Sequence, residues 1–293
     1  MRLTAYSLSQ MAAGLALGLS LAGASLAETP VETLAATVAQ IESQFDSRVG
    51  IAIVDTGSNF TWSHRDDERF LMNSTVKVPI CGAVLARADV GSLSLSQDLP
   101  IRQSDLVDYA PVAERHVGGD MTIAELCLAA IDQSDNTAAN LLIDHLGGPQ
   151  AVTGFFRDLG DPVSRLDRYE PALNSFAPGD PRDTTTPAAF AESLRRMLLG
   201  DALSPASRNQ LAEWMRHGGV TGKLLRRDAP AGWRILDKSG SGSHNRNIVA
   251  VINPDDAAPW IVTIFLSDMD ADFATRDAAL QRIGSDVVAL IRG

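Results

Sequence analysis

The 293-residue chain contains three lysines, and two of them stand close to serines in sequence. Lys77 follows Ser74 by three residues, near the start of a predicted helix. Because residues at this spacing share one face of a helix, the ammonium can reach the hydroxyl. A serine hydroxyl is a weak nucleophile until a neighbouring base or positive charge activates it, and the amino end of a helix adds a positive dipole end. The pair is a candidate nucleophile and activating group, although a serine at this spacing also occurs by coincidence.

A second candidate group consists of Ser134, Asp135 and Asn136, which precede a predicted helix. The hydroxyl of Ser134 could relay a proton, and the amide of Asn136 could bind a substrate carbonyl. The same three residue types are also the ones that helices favour as N-caps. The segment therefore predicts either a polar part of a binding site or an ordinary helix cap.

A third group, Lys238, Ser239 and Gly240, ends an apolar run and begins a stretch rich in glycine and serine. A lysine and a hydroxyl at the end of a strand can hold a carboxylate by charge-assisted hydrogen bonds. Glycines let the backbone of a ligand approach the strand closely. The alternative is a strand that simply runs into a turn.

Taken in this order, the three groups resemble the signature of the class A serine β-lactamases. The third group has Ser239 where the family often has threonine, an exchange that keeps the hydroxyl. The segment from Glu170 to Asn174 is similar to the Glu-x-x-Leu-Asn segment of the family, and the intervals between the four groups agree with the family pattern. The resemblance covers nearly the whole chain after residue 27. It implies that Glu170 and Asn174 position and activate the water that releases the acyl-enzyme.

The resemblance also implies the roles of the other catalytic residues. Ser74 attacks the lactam carbonyl, its own backbone N–H and that of Ser241 stabilise the oxyanion, and Ser134 passes a proton to the departing nitrogen. Either Glu170 or Lys77 could take the proton from Ser74 in the first step, a choice that is disputed for the family. The sequence leaves both open.

The substrate-binding residues follow from the same resemblance. Lys238, Ser239 and Arg246 would hold the substrate carboxylate, Asn136 would bind a substrate carbonyl, and Tyr109 matches an aromatic residue at the mouth of the active site. Arg246 matches the family arginine only when the alignment runs backward from the following strand, because the preceding turn is one residue shorter than usual. The alternative for Arg246 is a plain surface arginine.

Two further residue pairs are implied. Arg168 and Asp183 match the ion pair that closes the active-site loop 161–187 in the family. Cys81 and Cys127 match a disulfide found in part of the family, and an even pair of cysteines is compatible with a disulfide in an oxidising compartment. Two buried free thiols are the alternative.

The elements that must position these residues form an α+β pattern. Helical periodicity predicts helices over 30–45, 76–90, 122–128, 136–146 and 272–291. Short apolar runs predict strands over 49–54, 59–63, 234–238, 248–253 and 260–266. Because strands occur at both ends and helices in the middle, we expect an α/β sandwich: one antiparallel five-stranded sheet flanked by terminal helices, with an all-helical domain inserted. The predicted domains are 28–66 with 216–293, and an all-α domain over 67–215 that includes the loop 161–187, whose length is typical of functional loops.

Residues 1–27 have the features of a secretory signal peptide: a positive start at Arg2, an apolar run over 11–21, and small residues before a cleavage point after Ala27. They predict export, to the periplasm of a Gram-negative bacterium, without a lasting membrane association; an uncleaved anchor is the alternative. The net charge of −11 argues against nucleic-acid binding, which needs a basic face. The five histidines are scattered, so neither a metal nor a cofactor is expected. We expect a monomer that acts on a small β-lactam.

Two other functions share some of these features. A penicillin-binding peptidase has the same Ser-x-x-Lys arrangement, but such peptidases lack the pair Glu170 and Asn174. A non-catalytic β-lactam sensor domain usually adjoins membrane spans and signalling segments, which this sequence does not indicate. The sequence therefore predicts an enzyme that hydrolyses β-lactams.

Substrate preference rests on three residues. Asn73 and Gly242 occupy positions that are joined by an extra disulfide in some carbapenem-hydrolysing relatives. Their identities predict a preference for penicillins. Ser241 adds a hydroxyl beside the oxyanion site, which favours some activity toward cephalosporins.

Overall fold

The computed structural model describes residues 28–255 and 257–293. The predicted signal peptide, residues 1–27, lies outside the described residues. Within the described ranges, no helix is both long enough and apolar enough to cross a membrane.

The described residues form nine strands and nine α-helices, and the strands of the main sheet come from the two ends of the chain. The strands are β1 (Arg48–Asp55), β2 (Thr61–His64), β3 (Phe70–Leu71), β4 (Asp98–Pro100), β5 (Asp120–Thr122), β6 (Thr184–Thr185), β7 (Arg234–Ser241), β8 (Arg246–Asn253) and β9 (Trp260–Ser267). The helices are α1 (Pro30–Phe45), α2 (Lys77–Asp89), α3 (Ile123–Asp132), α4 (Asn136–Leu146), α5 (Pro149–Asp158), α6 (Pro187–Leu198), α7 (Pro205–Met215), α8 (Leu225–Asp228) and α9 (Phe273–Arg292).

One antiparallel five-stranded sheet has the order β2-β1-β9-β8-β7. Its central strands β1, β9 and β8 are mostly apolar and buried because both faces of the sheet are covered. Alternate residues of a strand point to opposite faces, so Ile261 and Phe265 of β9 enter one hydrophobic core while Val262 and Ile264 enter the other. The α+β fold class and the predicted sheet are confirmed.

Helices α1 and α9 cover one face of the sheet. Leu34, Val38 and Ile41 of α1 are buried against Ile283 and Val287 of α9 in one core cluster. The first helix begins with a capping box, in which the hydroxyl of its N-cap threonine and a glutamate carboxylate satisfy backbone N–H groups. The expectation that terminal helices flank the sheet is therefore correct.

Helices α3 to α7 pack on the opposite side around α2, which is buried from Lys77 to Leu85, whereas the short α8 packs on α9. Gly82 lets α2 approach its neighbours, because a Cβ there would lie 2.6 Å from the sulfur of Met197 and 2.9 Å from the ring of Phe155. The sequence did not single out α5, α6 and α7, although each begins with a proline at its first turn, where a missing N–H costs nothing. The region 67–215 also contains two short ladders, β3 with β6 and β4 with β5. The proposed domain limits stay a prediction.

The structure corrects the predicted disulfide. Cys81 and Cys127 are free, fully buried thiols. The thiol of Cys81 donates to the backbone carbonyl of Cys127, with 3.8 Å between sulfur and oxygen. Burial, followed by the hydrogen bond with Cys81, raises the pKa of the Cys127 thiol well above its ordinary value. Both side chains thus act as small apolar residues between α2 and α3, as expected for buried cysteines.

Candidate active site

A cleft of about 340 Å³ lies between β7 and the helical side of the molecule. Its wall contains most of the residues that the sequence singled out, from all three motifs and the long loop. The lining residues are Ser74, Tyr109, Ser134, Asn136, Asn174, Val220, Ser239, Gly240, Ser241, Arg246 and Phe273. Across the described part of the chain, no cluster of three or more His, Cys, Asp or Glu residues could hold a metal ion.

Ser74 lies in the 3₁₀ turn Asn73–Val76, which leads directly into α2. This places Lys77 on the same face, with its Nζ 3.0 Å from the Oγ of Ser74. The ammonium also donates to the backbone carbonyl of Ser134 at 2.7 Å and to Oδ1 of Asn136 at 2.6 Å. Lys77 is fully buried, and these acceptors replace the water that its ammonium lost.

Glu170 approaches the same serine from the long loop. The hydroxyl of Ser74 donates to Oε1 of Glu170 at 3.3 Å, and Nζ of Lys77 lies 3.1 Å from that oxygen. Oε2 accepts from the amide of Asn174 at 2.5 Å. Burial lowers the pKa of Lys77, and the negative charge of Glu170 opposes that shift. One hydroxyl therefore lies within hydrogen-bonding reach of both a carboxylate and an ammonium.

Asn140, which the sequence interpretation did not select, and Asn73, which it linked only to substrate preference, hold Glu170 and Asn174 in place. The amide of Asn140 donates to the backbone carbonyl of Glu170 and accepts from its N–H, both at 2.9 Å. Asn73 donates to Oδ1 of Asn174 at 3.0 Å. Asn140 lies four residues after Asn136 on α4, so helical spacing was the available signal.

An ion pair closes the long loop. Nε of Arg168 lies 2.5 Å from Oδ2 of Asp183, and Oδ1 accepts the backbone N–H groups of Asp167 at 2.7 Å and Arg168 at 2.9 Å. Burial tends to raise the pKa of Asp167, but hydrogen bonds from Arg165 and from the Asp183 N–H outweigh it and lower the pKa. Two segments near the two ends of the loop are thus joined directly, at the pair that the resemblance implied.

Ser134 stands between two ammonium groups. Its Oγ lies 3.0 Å from Nζ of Lys238 and 3.3 Å from Nζ of Lys77. Lys238 also donates to the carbonyl of Ser239 at 2.8 Å. Burial, followed by the like charges of Lys77 and Arg246, lowers the pKa of Lys238 well below its ordinary value. A hydroxyl in this position can pass a proton along a short chain of donors.

The segment Ser134–Asn136 contains both a helix cap and residues that line the cleft. Asp135 is the N-cap of α4 and accepts from the N–H of Ala138 at 2.8 Å. Ser134 and Asn136, on either side of it, line the cleft. Ser134 adopts a left-handed backbone conformation with a φ of 59°, which is uncommon for a residue with a side chain. The cap and the turn together direct the two flanking side chains toward Lys77.

Strand β7 forms an edge of the sheet and runs past Ser74. A Cβ at Gly240 would lie 3.1 Å from the backbone nitrogen of Ser74 and 2.9 Å from the carbonyl oxygen of Met72. Only glycine permits this approach. Ser239 and Ser241, on either side of Gly240, line the cleft. Because β7 pairs only with β8, its outer edge is available to pair with a ligand.

Arg246 is in the cleft and not on the open surface. It is 6% exposed, and its Nε and Nη2 each lie 2.8 Å from Oδ1 of Asp277 on α9. Nη1 donates to the carbonyl of Gly240 at 3.1 Å, and the guanidinium carbon lies 5.2 Å from the ring centre of Phe273. Tyr109 lines the same cleft and is 58% exposed. No sequence signal pointed to Asp277.

Comparisons with known proteins agree with this arrangement. The model of the β-lactamase enzyme family matches residues 33–291. A β-lactamase of Rhodobacter capsulatus is 66% identical over 292 residues, covering 100% of both chains. An ancestral class A β-lactamase matches with a TM-score of 0.84 at 51% identity, over 87% of this chain and 99% of that one. A β-lactamase from Xanthomonas campestris matches with a TM-score of 0.86 at 47% identity, over 89% of this chain and 98% of that one.

The family match covers nearly all of the described residues. The two solved structures share the fold, with sequence identities of 51% and 47%. The chain therefore belongs to the class A serine β-lactamase family and is a β-lactam-hydrolysing enzyme.

Proposed function

We propose that the enzyme opens the lactam amide through an acyl-enzyme on Ser74 and releases it with water activated by Glu170. The observation that carries this proposal is the position of the Ser74 hydroxyl, 3.0 Å from Nζ of Lys77 and 3.3 Å from Oε1 of Glu170. Either group can accept the serine proton at these distances, so the base of the first step stays open between them.

In the first step, the substrate carboxylate binds Lys238, Ser239 and Arg246, and the lactam carbonyl enters the space between β7 and Ser74. The backbone N–H groups of Ser74 and Ser241 then stabilise the oxyanion, each lowering the activation barrier by about 3 kcal/mol. The close packing of β7 on the nitrogen of Ser74 supports this assignment. As Oγ bonds to the carbonyl carbon, the carbon–nitrogen bond breaks.

The departing nitrogen needs a proton, which Ser134 supplies. Its hydroxyl is hydrogen-bonded to Nζ of Lys238 at 3.0 Å and lies 3.3 Å from Nζ of Lys77, so either ammonium can replace that proton. Asn136, which lines the cleft, binds the carbonyl of the substrate's acylamino group.

In the second step, a water molecule attacks the ester and Glu170 takes its proton. The Ser74 ester bond breaks, the serine oxygen is protonated again, and the ring-opened acid leaves. Asn174 orients the carboxylate through its 2.5 Å hydrogen bond, and the loop ion pair of Arg168 and Asp183 supports the same segment. This step separates a hydrolase from a peptidase of the penicillin-binding type.

Penicillins are the proposed preferred substrates, with some cephalosporins also accepted. A Cβ at Gly242 would lie 2.8 Å from Nδ2 of Asn73, so the two positions are adjacent but not covalently joined. An imipenem kcat/KM equal to that for benzylpenicillin would overturn this preference.

We further propose that the enzyme is exported to the periplasm and acts as a monomer, on the basis of the signal-like residues 1–27 and the small-molecule cleft.

Nitrocefin hydrolysis by the wild type, Glu170→Ala and Ser74→Ala tests the mechanism. We expect multiple turnovers for the wild type, and for Glu170→Ala a burst followed by an acyl-enzyme that intact-protein mass spectrometry detects. Ser74→Ala should form no covalent adduct. A wild-type enzyme that is acylated once and does not turn over would contradict the hydrolase mechanism.

A further inference from the structure

Phe273 is a large apolar residue that the fold leaves in water at the mouth of the cleft. It is 54% exposed, although it begins α9 in line with apolar residues such as Ile283 and Val287 that are buried. Transfer of apolar surface out of water is favourable in free energy. A ligand that covers the exposed ring of Phe273 therefore gains binding free energy from its burial.

The ring stands next to the proposed carboxylate site. The guanidinium of Arg246 lies over it at 5.2 Å from the ring centre, within the range of a cation–π contact. Phe273 lines the cleft together with Ser239 and Arg246. The end of a substrate that lies beyond its carboxylate must therefore pass close to this ring.

The chemistry of β-lactams identifies that end. In cephalosporins, the ring carbon next to the carboxylate-bearing carbon carries a variable substituent, whereas the acylamino group lies on the lactam ring. With the carbonyl at Ser74 and the carboxylate at Arg246, the variable substituent extends toward α9 and the acylamino group toward Asn136 and Asn174. The two substituents thus meet different walls of the cleft.

We propose that Phe273 is a specificity-determining residue that packs on an aromatic substituent next to the carboxylate of a cephalosporin. The inference rests on the proposed function, because that function orients the substrate. Aromatic rings favour offset or edge-to-face contact with a phenyl group, and the exposed face of Phe273 is available for such a contact. A small substituent such as a methyl group would leave most of the ring uncovered.

Steady-state kinetics with two cephalosporins test the proposal. Both carry the same acylamino group; one has a methyl group and the other a neutral heteroaromatic group on the carbon next to the carboxylate-bearing carbon. We expect Phe273→Ala to raise KM for the heteroaromatic substrate about tenfold more than for the methyl substrate, as for loss of one apolar contact. Phe273→Leu keeps an apolar side chain and should give a smaller difference between the two substrates. Thermal unfolding of each variant shows whether it is folded.

Tyr109→Ala provides the matched comparison, because it removes an equally exposed aromatic ring from the same cleft. We expect it to change KM for both cephalosporins by the same factor. Equal effects of Phe273→Ala on both substrates would mean that the ring acts through Arg246 and would overturn the proposal, as would no effect on either. Benzylpenicillin turnover by the wild type reports on the proposed function separately.

Discussion

The floor and the rim of the cleft differ in how their side chains are held. On the floor, Lys77, Glu170 and Lys238 are almost completely buried, and each has two or more polar partners within hydrogen-bonding distance. On the rim, Tyr109 and Phe273 are more than half exposed. The floor is an interlocked polar network in a low-dielectric environment, whereas the rim consists of individual side chains that face water.

This difference predicts different responses to mutation. In a buried network, removal of one member leaves the others unpaired, and the resulting cost exceeds that of one hydrogen bond. At the rim, water replaces a lost contact, so the effect is confined to ligand affinity. We therefore expect large losses in rate for floor variants and modest changes in KM for rim variants.

The largest effect should come from Lys77→Ala. Lys77 contacts Ser74, Ser134, Asn136 and Glu170. We therefore expect kcat/KM for benzylpenicillin to fall about 10³–10⁴-fold, as for loss of an acid–base group. Lys223→Ala is the matched control because Lys223 is exposed and lies outside the cleft lining. A kcat/KM of Lys77→Ala within tenfold of the wild-type value would contradict the proposed difference between floor and rim.

A second prediction applies the contrast between buried and exposed groups to the long loop. Asp183 is 1% exposed at its side chain and accepts from Arg168 and from two backbone N–H groups. Asp183→Ala should lower the free energy of unfolding by about 3–5 kcal/mol, as for loss of one partner of a buried ion pair. Asp180→Ala breaks a pair with Arg182, whose side chain is 53% exposed, and should cost less than about 1 kcal/mol. Urea denaturation measures both, and equal losses would contradict the prediction.

A third prediction concerns pH. In the proposed mechanism, Lys238 binds the substrate carboxylate as a cation. Burial together with the charges of Lys77 and Arg246 holds its pKa well below 10.5. Because a lysine loses its proton as pH rises through its pKa, binding is complete below that lowered pKa and weakens above it. KM for benzylpenicillin should therefore rise on the alkaline side before pH 10.5, by about tenfold per pH unit beyond the pKa.

Lys238→Arg provides the control for this profile because arginine keeps its charge throughout the range. We expect the alkaline rise in KM to disappear in this variant. The same rise in both proteins would assign it to another group.

The smallest effect is expected at the boundary between floor and rim. Asp277 accepts from Nε of Arg246 at 2.8 Å, with Nη2 at the same distance. If Arg246 binds the substrate carboxylate as proposed, Asp277 competes with that carboxylate for the guanidinium. Asp277→Asn should lower KM for benzylpenicillin by about two- to fivefold, the size of one partly screened charge interaction. Asp270→Asn, at a fully exposed side chain, controls for the change in net charge. A higher KM for Asp277→Asn would mean that Asp277 mainly orients Arg246.

Much of the fold was predictable because its periodicity is strong. Helices α1 and α4 have the predicted limits, and the strands differ from the predicted ones by only a few residues at their ends. Strand β7 continues to Ser241 beyond the apolar run, because pairing with β8 outweighs the weak strand propensity of glycine and serine. The disulfide was wrong because sequence spacing does not determine whether a buried thiol bonds to sulfur or to a carbonyl.

The amino-acid sequence alone determined which residue types are available for the chemistry and in what order, since motif spacing and periodicity are properties of the chain. It thereby placed Ser74 and Lys77 on one helix face and Glu170 in a long loop. Only the tertiary structure decided that Asn140 holds Glu170, that Asp277 holds Arg246 and that Phe273 faces the cleft. These contacts join elements that are far apart in sequence, and they depend on how the helices pack against the sheet, which no local pattern specifies.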